Sequence, residues 1–395
     1  MDFPTTAAFN KPGLRRPLIS SGLWCMACAT ALVSTGCTVP QAGVEEKAGI
    51  GGESHGVRYA RHFSFSADFD TLWTHNVDGP DMAWVHGNPG ARSALDGART
   101  AAFVGDPVRL ATWSTTHVPH VMAIGAEDTW CASGYVDRLA LDAQGDVGHV
   151  RNLGGDGGLD EEMLLVSGAT VLTSYPFGDP MQGVQTRTGV RVIPLREYEE
   201  QHPLGRAEYI KVFGWLTGRL EQANAIFEGI AARYDSVGRI GRDKAEALGR
   251  PTVFTGSEQG GTWTAPGGEG LVARLVEDAG GHYAIDDSLE SAMALVRDGG
   301  NVLMDMEQFA LIADASDCWG KVVYAPEGWF REDAQNAMPW LDMEGKLLFH
   351  CNTAEVDYFG QASLEPDRML QDLVAIFHGG SGADGAYFLK TPPRP

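Results

Sequence analysis

Apolar residues along the chain follow two alternating patterns, short continuous runs and runs with helical spacing. In the first half, the continuous runs that indicate strands lie at 63–69, 99–103, 108–112, 130–132, 170–175 and 190–195. Helical spacing occurs between them, at 116–124 and 160–165. After residue 250 the alternation begins again, with strand runs at 251–255, 301–304 and 322–324 and helical runs at 270–279, 289–297 and 366–377. The repeated alternation predicts an α/β fold of two lobes.

Residues 203–234 keep helical spacing for about eight turns, and Pro203 occupies the first helical position, where its missing N–H costs nothing. The apolar positions are Tyr209, Val212, Phe213, Leu216, Leu220, Ala223, Ile226, Phe227, Ile230 and Tyr234. At 1.5 Å per residue, about 30 residues make a rod of roughly 45 Å. Such a helix fits either a large core helix or a rigid spine. Because the second alternation follows directly, we expect a spine that joins the two lobes.

The amino terminus has the layout of an export signal: basic residues, then an apolar run at 18–33, then small residues before Cys37. The run is too short to span a hydrocarbon core of roughly 30 Å, so a cleaved signal is favoured over a permanent membrane helix. Cys37 follows a glycine, as in the lipobox of bacterial lipoproteins. Ser34 stands where that motif prefers leucine, so ordinary cleavage without lipid stays open.

Charge and composition narrow the range of partners. The chain has 30 Lys and Arg against 52 Asp and Glu, a formal net charge of -22, which repels nucleic acid and anionic lipid. At 395 residues, 44% of them hydrophobic, it is long enough for two domains. The predicted organisation is a signal peptide at 1–37, a flexible tether at 38–57, a first lobe at 58–202, the spine helix and linker at 203–248, a second lobe at 249–378 and a tail at 379–395.

Cysteines and histidines give no strong metal or disulfide pattern. Beyond the signal segment, Cys131, Cys318 and Cys351 match no zinc spacing, and either three buried thiols or one pair plus one thiol is open. His117 and His120 have an H-x-x-H spacing, but no clear third ligand accompanies them. We therefore expect a structural or solvent-facing histidine pair and no metal site.

Catalytic motifs do not support an enzyme. The sequence lacks G-x-S-x-G, H-E-x-x-H and the phosphate-binding loop. Asp305, Glu307 and Asp317 lie near one another in sequence, but nothing in the pattern makes them converge. A binding protein is the expectation. An exported α/β enzyme, hydrolytic or metal-dependent, is the alternative, and an exported scaffold without a small ligand is a third.

Several segments, in order, resemble one family. They are Ser114 to His117, 154–165, 199–227, 256–283 with its Gly261-Thr262-Trp263 and Asp278-Ala279-Gly280-Gly281, and 366–373. The chain from about 59 to 378 resembles the periplasmic solute-binding proteins of iron-siderophore and cobalamin ABC importers. The resemblance implies two Rossmann-like lobes joined by one long helix, with a ligand cleft between them. It also implies an iron chelate, haem or corrinoid as ligand, with no resident cofactor.

The resemblance and the residue types together suggest which side chains line this cleft. A predicted helix start can receive an anion or a carbonyl, although its hydroxyls can equally serve as caps. A tryptophan beside glycines offers an apolar wall or ordinary core packing, and an arginine can pair with an anionic ligand. The predicted ligand-binding residues are Ser114, Thr115, Thr116, His117, Trp263, Trp329 and Arg331.

The resemblance also implies a partner. In this family one surface glutamate on each lobe docks on arginines of the permease, and Glu162 and Glu290 occupy the matching places, with Glu161 as the substitute for the first. We expect a monomer that works with a permease and an ATPase. It would be exported to the periplasm or cell surface and held at a membrane by lipid on Cys37.

Overall fold

The computed structural model describes residues 56–76, 81–87, 101–139, 148–175, 183–339, 341–379 and 385–394. The predicted signal peptide, Cys37 and nearly all of the predicted tether lie outside these residues. Among the helices that are described, none has the length and apolar character needed to cross a membrane.

The first lobe contains two main sheets. A four-stranded sheet is formed by β1 (Phe63–Phe65), β2 (Thr71–Thr74), β3 (Met82–His86) and β4 (Ala101–Val104). A parallel five-stranded sheet has the order β11-β10-β5-β6-β7, where the strands are β5 (Leu110–Thr112), β6 (Trp130–Ser133), β7 (Arg151–Asn152), β10 (Val171–Ser174) and β11 (Arg191–Pro194). The remaining elements are the hairpin β8 (Gly154–Gly155) and β9 (Gly158–Leu159), and α1 (Val118–Ala123), α2 (Glu161–Ser167) and α3 (Val184–Thr188).

Three helices then connect the lobes: α4 (Pro203–Glu208), α5 (Ile210–Leu216) and α6 (Leu220–Leu248). The prediction of one continuous helix over 203–234 was therefore wrong. The chain turns after α5 at Gly218, whose φ of 70° is left-handed and suits glycine. It folds back so closely that a Cβ on Gly214 would lie 2.5 Å from the Cβ of Ala223. The long helix begins only at Leu220 and, at 29 residues, runs well past residue 234.

The second lobe also has two sheets. The first has the order β15-β12-β18-β19-β20, parallel except for β20, with β12 (Thr252–Thr255), β15 (His282–Tyr283), β18 (Cys318–Val323), β19 (Leu347–Asn352) and β20 (Leu389–Lys390). The second is antiparallel, in the order β13-β14-β17-β16, with β13 (Ser257–Gln259), β14 (Thr262–Pro266), β16 (Val296–Asp298) and β17 (Asn301–Asp305). Its helices are α7 (Leu271–Asp278), α8 (Asp287–Ala292), α9 (Met306–Ala315), α10 (Arg331–Ala337) and α11 (Pro366–His378).

Helix α6 packs against both lobes. Its amino-terminal part lies on α5, and it also packs on α11 and α7 of the second lobe. The buried positions recur at helical spacing: Ala223, Phe227, Ile230, Ala231, Tyr234, Gly238 and Gly241. One hydrophobic core, extending from Val57 to Phe388, includes side chains from both lobes and from α6. The two lobes therefore share their main core, and a smaller second core lies within the first lobe.

Two buried carboxylates hold the start of the described chain. Glu208 accepts hydrogen bonds from the backbone N–H groups of Arg58, Tyr59 and Ala60, and from the Lys211 ammonium at 2.7 Å. Glu200 accepts from two further backbone N–H groups, those of residues 61 and 62. Both carboxylates are nearly inaccessible, and burial raises the pKa of Glu200 to about 7. Segment 56–62 is thus fixed to α4 and to the residues just before it.

The cysteine alternatives are now decided. Cys131, Cys318 and Cys351 are all buried free thiols. Burial raises the pKa of Cys318 and of Cys351 to about 12, so both thiols remain protonated and unreactive at neutral pH.

The close approach of α6 to α7 gives a stability test. A Cβ on Gly241 would lie 2.9 Å from the backbone oxygen of Asp278 and from the carbonyl carbon of Ala279, and backbone atoms cannot yield as a flexible side chain can. We expect Gly241→Ala to lower the free energy of unfolding by about 1–3 kcal/mol, because overpacking outweighs the gain in helix propensity. Urea denaturation followed by circular dichroism measures the change.

Gly229→Ala is the matched control on the same helix. A Cβ at Gly229 meets only the Arg233 guanidinium, at 3.4 Å, so the substitution should stabilise the protein by roughly 0.5–1 kcal/mol. Equal effects of the two substitutions would contradict tight packing of α6 on the second lobe.

Candidate functional site

A cavity of about 540 Å³ lies between the two lobes. On the first lobe it is lined by residues 113–115, by Tyr135, by residues 137–139 and by Tyr175, which follow the carboxyl ends of β5, β6 and β10. On the second lobe it is lined by 353–359, directly after β19. In open α/β sheets, ligands bind outside the carboxyl ends of the strands. The position of the cavity is therefore that of a ligand site.

Aromatic rings from both lobes form much of the cavity wall. Trp113 donates from Nε1 to the hydroxyl of Tyr175 at 3.1 Å, and its ring lies 5.4 Å from that of Tyr135. On the opposite side, Tyr358 and Phe359 pack edge to face at 5.3 Å, and Phe359 is 62% exposed. Rings arranged in this way present broad apolar surface together with polar hydroxyl groups.

Local backbone geometry holds two of these rings in place. Gly134 has no room for a side chain, because a Cβ there would lie 2.6 Å from the Trp113 ring. Tyr135 itself adopts a left-handed conformation with φ of 52°, which is uncommon for a bulky residue, and its N–H donates to the carbonyl of Gly154 at 2.8 Å. Strained residues of this kind persist where the surrounding structure fixes them, often at functional sites.

Four charged residues also line the cavity. Asp137 and Arg138 lie on the first lobe, and Glu355 and Asp357 lie on the second. The Arg138 guanidinium forms an ion pair with Asp156 and lies 4.9 Å from the centre of the Tyr135 ring.

The two second-lobe carboxylates are held by hydrogen bonds. Asp357 accepts from the backbone N–H groups of Gly360 and Gln361 at 2.8 Å, and Glu355 accepts from the Asn352 amide at 2.8 Å. The second-lobe loop is therefore fixed by its own hydrogen bonds.

Of the seven predicted ligand residues, the structure places Ser114 and Thr115 in the cavity wall. Ser114 also caps the following 3-10 turn, accepting from the Thr116 N–H at 3.3 Å. Thr116 and His117 point inward, since both contact the same oxygen of Glu197, at 2.7 and 3.3 Å. They support the turn from behind and do not line the cavity.

The ionisable groups behind the turn are fully buried. Burial alone would raise the pKa of Glu197, but the neighbouring His117, with hydrogen bonds from His117 and Thr116, lowers it to about 2. Burial lowers the pKa of His120 to about 3, so its ring is neutral, and it stacks on Phe213 at 5.5 Å. Within the described parts of the chain, no three His, Cys, Asp or Glu residues are grouped as metal ligands. His117 and His120 pack in the lobe interior.

The remaining predicted ligand residues lie elsewhere in the second lobe. Trp263 is fully buried, stacked on Phe309 at 3.9 Å, because alternate residues of β14 face the core. Trp329 is partly buried against the Lys321 ammonium, at 5.7 Å. Arg331 donates to the backbone carbonyls of residues 343 and 346. These three positions correct the prediction, since none of them is in the cavity wall.

The two predicted docking glutamates have different environments. Glu162 is exposed on the first turn of α2, whose cap is Asp160. Glu290 is only 6% exposed and accepts from the Gly268 N–H at 2.9 Å and from Arg297 at 2.7 Å. A carboxylate in a buried ion pair is not available to a partner surface, so this prediction was wrong for Glu290. The substitute Glu161 is itself paired with Arg187.

Tyr135, Tyr175 and the second-lobe loop 353–359 were missed in the sequence. The two tyrosines could have been found, because Tyr135 follows the predicted strand 130–132 and Tyr175 ends the run 170–175. The loop could not be found, because the strand before it, β19, which contains the polar residues His350 and Asn352, was not predicted.

Comparison with solved structures supports the two-lobe fold. A periplasmic binding protein from Veillonella parvula aligns with a TM-score of 0.57 and 14% identity, over 79% of this chain and 98% of that chain. A periplasmic heme-binding protein from Pseudomonas aeruginosa aligns at 0.54 and 14%, over 73% and 99%. A siderophore-binding protein from Vibrio cholerae, solved with Fe³⁺-Desferal, aligns at 0.50 and 14%, over 68% and 99%. The predicted two-lobed α/β fold is confirmed.

Comparison of sequences gives weaker matches than comparison of structures. No family model matches the chain. An uncharacterized lipoprotein from Methanocaldococcus jannaschii is 23% identical over 251 residues, which are 62% of this chain. The match spans 56% of that relative, so the chain corresponds to only about half of its length.

The buried pair behind the cavity gives a pH-dependent prediction. The pKa of Glu197 is lowered from 4.5 to about 2 in the folded protein, so its stabilisation is present above about pH 4.5 and is lost as the pH falls toward 2. We expect Glu197→Gln to cost about 3 kcal/mol of unfolding free energy at pH 7, with a difference from the wild type that shrinks below pH 4.5. Urea denaturation across this pH range measures it.

Glu199→Gln is the control, because Glu199 pairs with Arg196 at a partly exposed position. Its cost at pH 7 should stay below about 1 kcal/mol. A Glu197→Gln deficit that is the same at pH 3 and pH 7 would refute the lowered pKa of Glu197.

Proposed function

We propose that this protein is the extracytoplasmic substrate-binding component of an ABC importer. It captures an iron-siderophore complex or a related chelate, such as haem or a corrinoid, and delivers it to a membrane permease. The observation that carries the proposal is the aromatic cavity at the strand ends of two lobes, in a fold shared with periplasmic binding proteins. Its volume of about 540 Å³ is in the range of small-molecule sites.

The distribution of ionisable groups favours binding over catalysis. The strongly shifted pKa values of Glu197 and His120 belong to groups buried behind the cavity wall. Catalytic acids and bases with shifted pKa values are found inside the cleft where they meet the substrate. The wall is instead mainly aromatic and hydroxylic, which suits capture and release of an unchanged ligand.

The exposed surface of α2 provides a candidate contact for the membrane permease. Glu162 is the exposed carboxylate of α2, and on the same helix Leu165 and Val166 are 53% and 66% exposed. A charge beside apolar side chains fits a contact with an arginine of a partner protein. Lipid on Cys37 would hold the protein at the membrane near that partner, in agreement with the description of the relative as a lipoprotein.

The cavity aromatics give the first test of function. Tyr135→Ala should weaken binding of the cognate chelate about tenfold or more, because it removes an aromatic ring from the cavity wall. Isothermal titration calorimetry against ferric siderophores, haem and cobalamin, supported by quenching of tryptophan fluorescence, measures the affinities.

Tyr324→Ala is the control, since Tyr324 is 76% exposed and lies outside the cavity. It should bind like the wild type. Turnover of a substrate by the wild-type protein, with no binding of any chelate, would contradict the proposal and support the enzyme alternative.

Delivery is tested in cells that depend on this protein for chelate uptake. Glu162→Lys should reduce uptake severalfold with unchanged affinity of the purified protein, because it places like charge against the permease. Cys37→Ser should abolish palmitate labelling and release the protein from the membrane fraction. Glu246→Lys, at an exposed position near the end of α6, is the control and should change neither the uptake of chelate nor the attachment to the membrane. Normal uptake with Glu162→Lys would rule out this docking contact.

A further inference from the structure

The charges around the cleft are unbalanced. Asp137 from the first lobe and Glu355 and Asp357 from the second line the cavity. Asp137 and Glu355 are exposed at its surface, while the hydrogen bonds to Asp357 come from backbone N–H groups that carry no formal charge. Carboxylates on both sides of a cleft focus a negative potential between them.

The described wall of the cavity contains one basic side chain, Arg138. Its guanidinium is paired with Asp156, which lies outside the wall, and contacts the Tyr135 ring. The positive charge is therefore already balanced within the first lobe.

The uncharged part of the wall also favours a cation. The faces of Trp, Tyr and Phe rings carry a negative quadrupole that attracts cationic groups within about 6 Å. Rings from both lobes line this cavity: Trp113, Tyr135, Tyr175, Tyr358 and Phe359. A ligand that carries carboxylate or catecholate charges on its outer surface would face the carboxylates and the aromatic rings of the wall. The described wall offers such a ligand no unpaired basic group.

Resting on the proposed function, we infer that the cleft selects ligands with positive charge on their outer surface. The class is a chelate that bears a pendant ammonium group, with the charged group between Asp137 and Glu355 and the apolar body against the rings. Anionic complexes, such as tricatecholate iron or a porphyrin with two carboxylates, are disfavoured.

The test compares iron chelates that carry different net charges. Ferrioxamine B, which carries a pendant ammonium, is compared with its neutral N-acetyl derivative, and ferric enterobactin serves as a trianion. We expect the cation to bind about tenfold more tightly than the neutral form at low ionic strength, with a smaller ratio in 0.5 M salt. Equal affinities, or tightest binding of the trianion, would overturn the inference.

Variants connect the preference to the named carboxylates. The double substitution Asp137→Asn and Glu355→Gln keeps side-chain size and should bring the ratio of cation to neutral affinity close to one. Asp357 is left unchanged because it holds the turn at Gly360 and Gln361. Asp156→Asn releases Arg138 and should reduce the preference as well. Unfolding temperatures confirm that each variant is folded, and an unchanged ratio in the folded double variant would refute the assignment.

A pair of probes without metal separates this inference from the proposed function. Benzyltrimethylammonium and neutral neopentylbenzene have nearly the same shape, and quenching of tryptophan fluorescence reports their binding. Preference for the ammonium, in the absence of chelate binding, would support the charge inference and refute the chelate function. Chelate binding without any charge preference in either pair of probes would support the chelate function and refute the charge inference.

Discussion

The arrangement of the molecule depends on how one face of a single helix packs on elements of both lobes. Helix α6 contributes Phe227 and Tyr234 to the shared core and approaches α7 so closely that only glycine fits at residue 241. Because one face of the helix contacts elements of both lobes, its position determines where the strand ends of each lobe lie. The cavity exists where those ends face one another, so its shape follows from how the helix is packed as much as from the residues in its wall.

The fold followed from periodicity, whereas much of the site did not. Apolar runs and helical spacing report local structure, and they identified two α/β halves and a long helix between them. They could not distinguish the turn at Gly218 from continuous helix, since side chains on both sides of it face the same core. Trp263 shows a related limit: a large apolar residue in a strand has the same pattern whether it faces a ligand or, as here, packs on Phe309.

Polar residues were harder still to place, because their roles depend on partners far away in sequence or on burial. Glu290 has the position of a surface carboxylate in the chain, yet Arg297 and the Gly268 N–H draw it into the lobe. The position of Ser114 at the end of a strand and at a cap is easier to predict, because both are local features. The inward turn of Thr116 and His117 needed Glu197, about 80 residues away in the chain, which no local pattern connects to them.

The hydrogen bonds that Glu208 and Glu200 accept from segment 56–62 make this segment a necessary part of the folded domain. Glu208 and Glu200 have almost no contact with solvent, and their hydrogen-bond donors are mostly the backbone N–H groups of residues 58–62. A proteolytic cut that removed these residues would leave two buried carboxylates without those backbone donors, which would lower the free energy of unfolding. The folded part of the chain therefore needs the residues from Gly56 onward, and the Gly56 carbonyl itself accepts a hydrogen bond from Lys211.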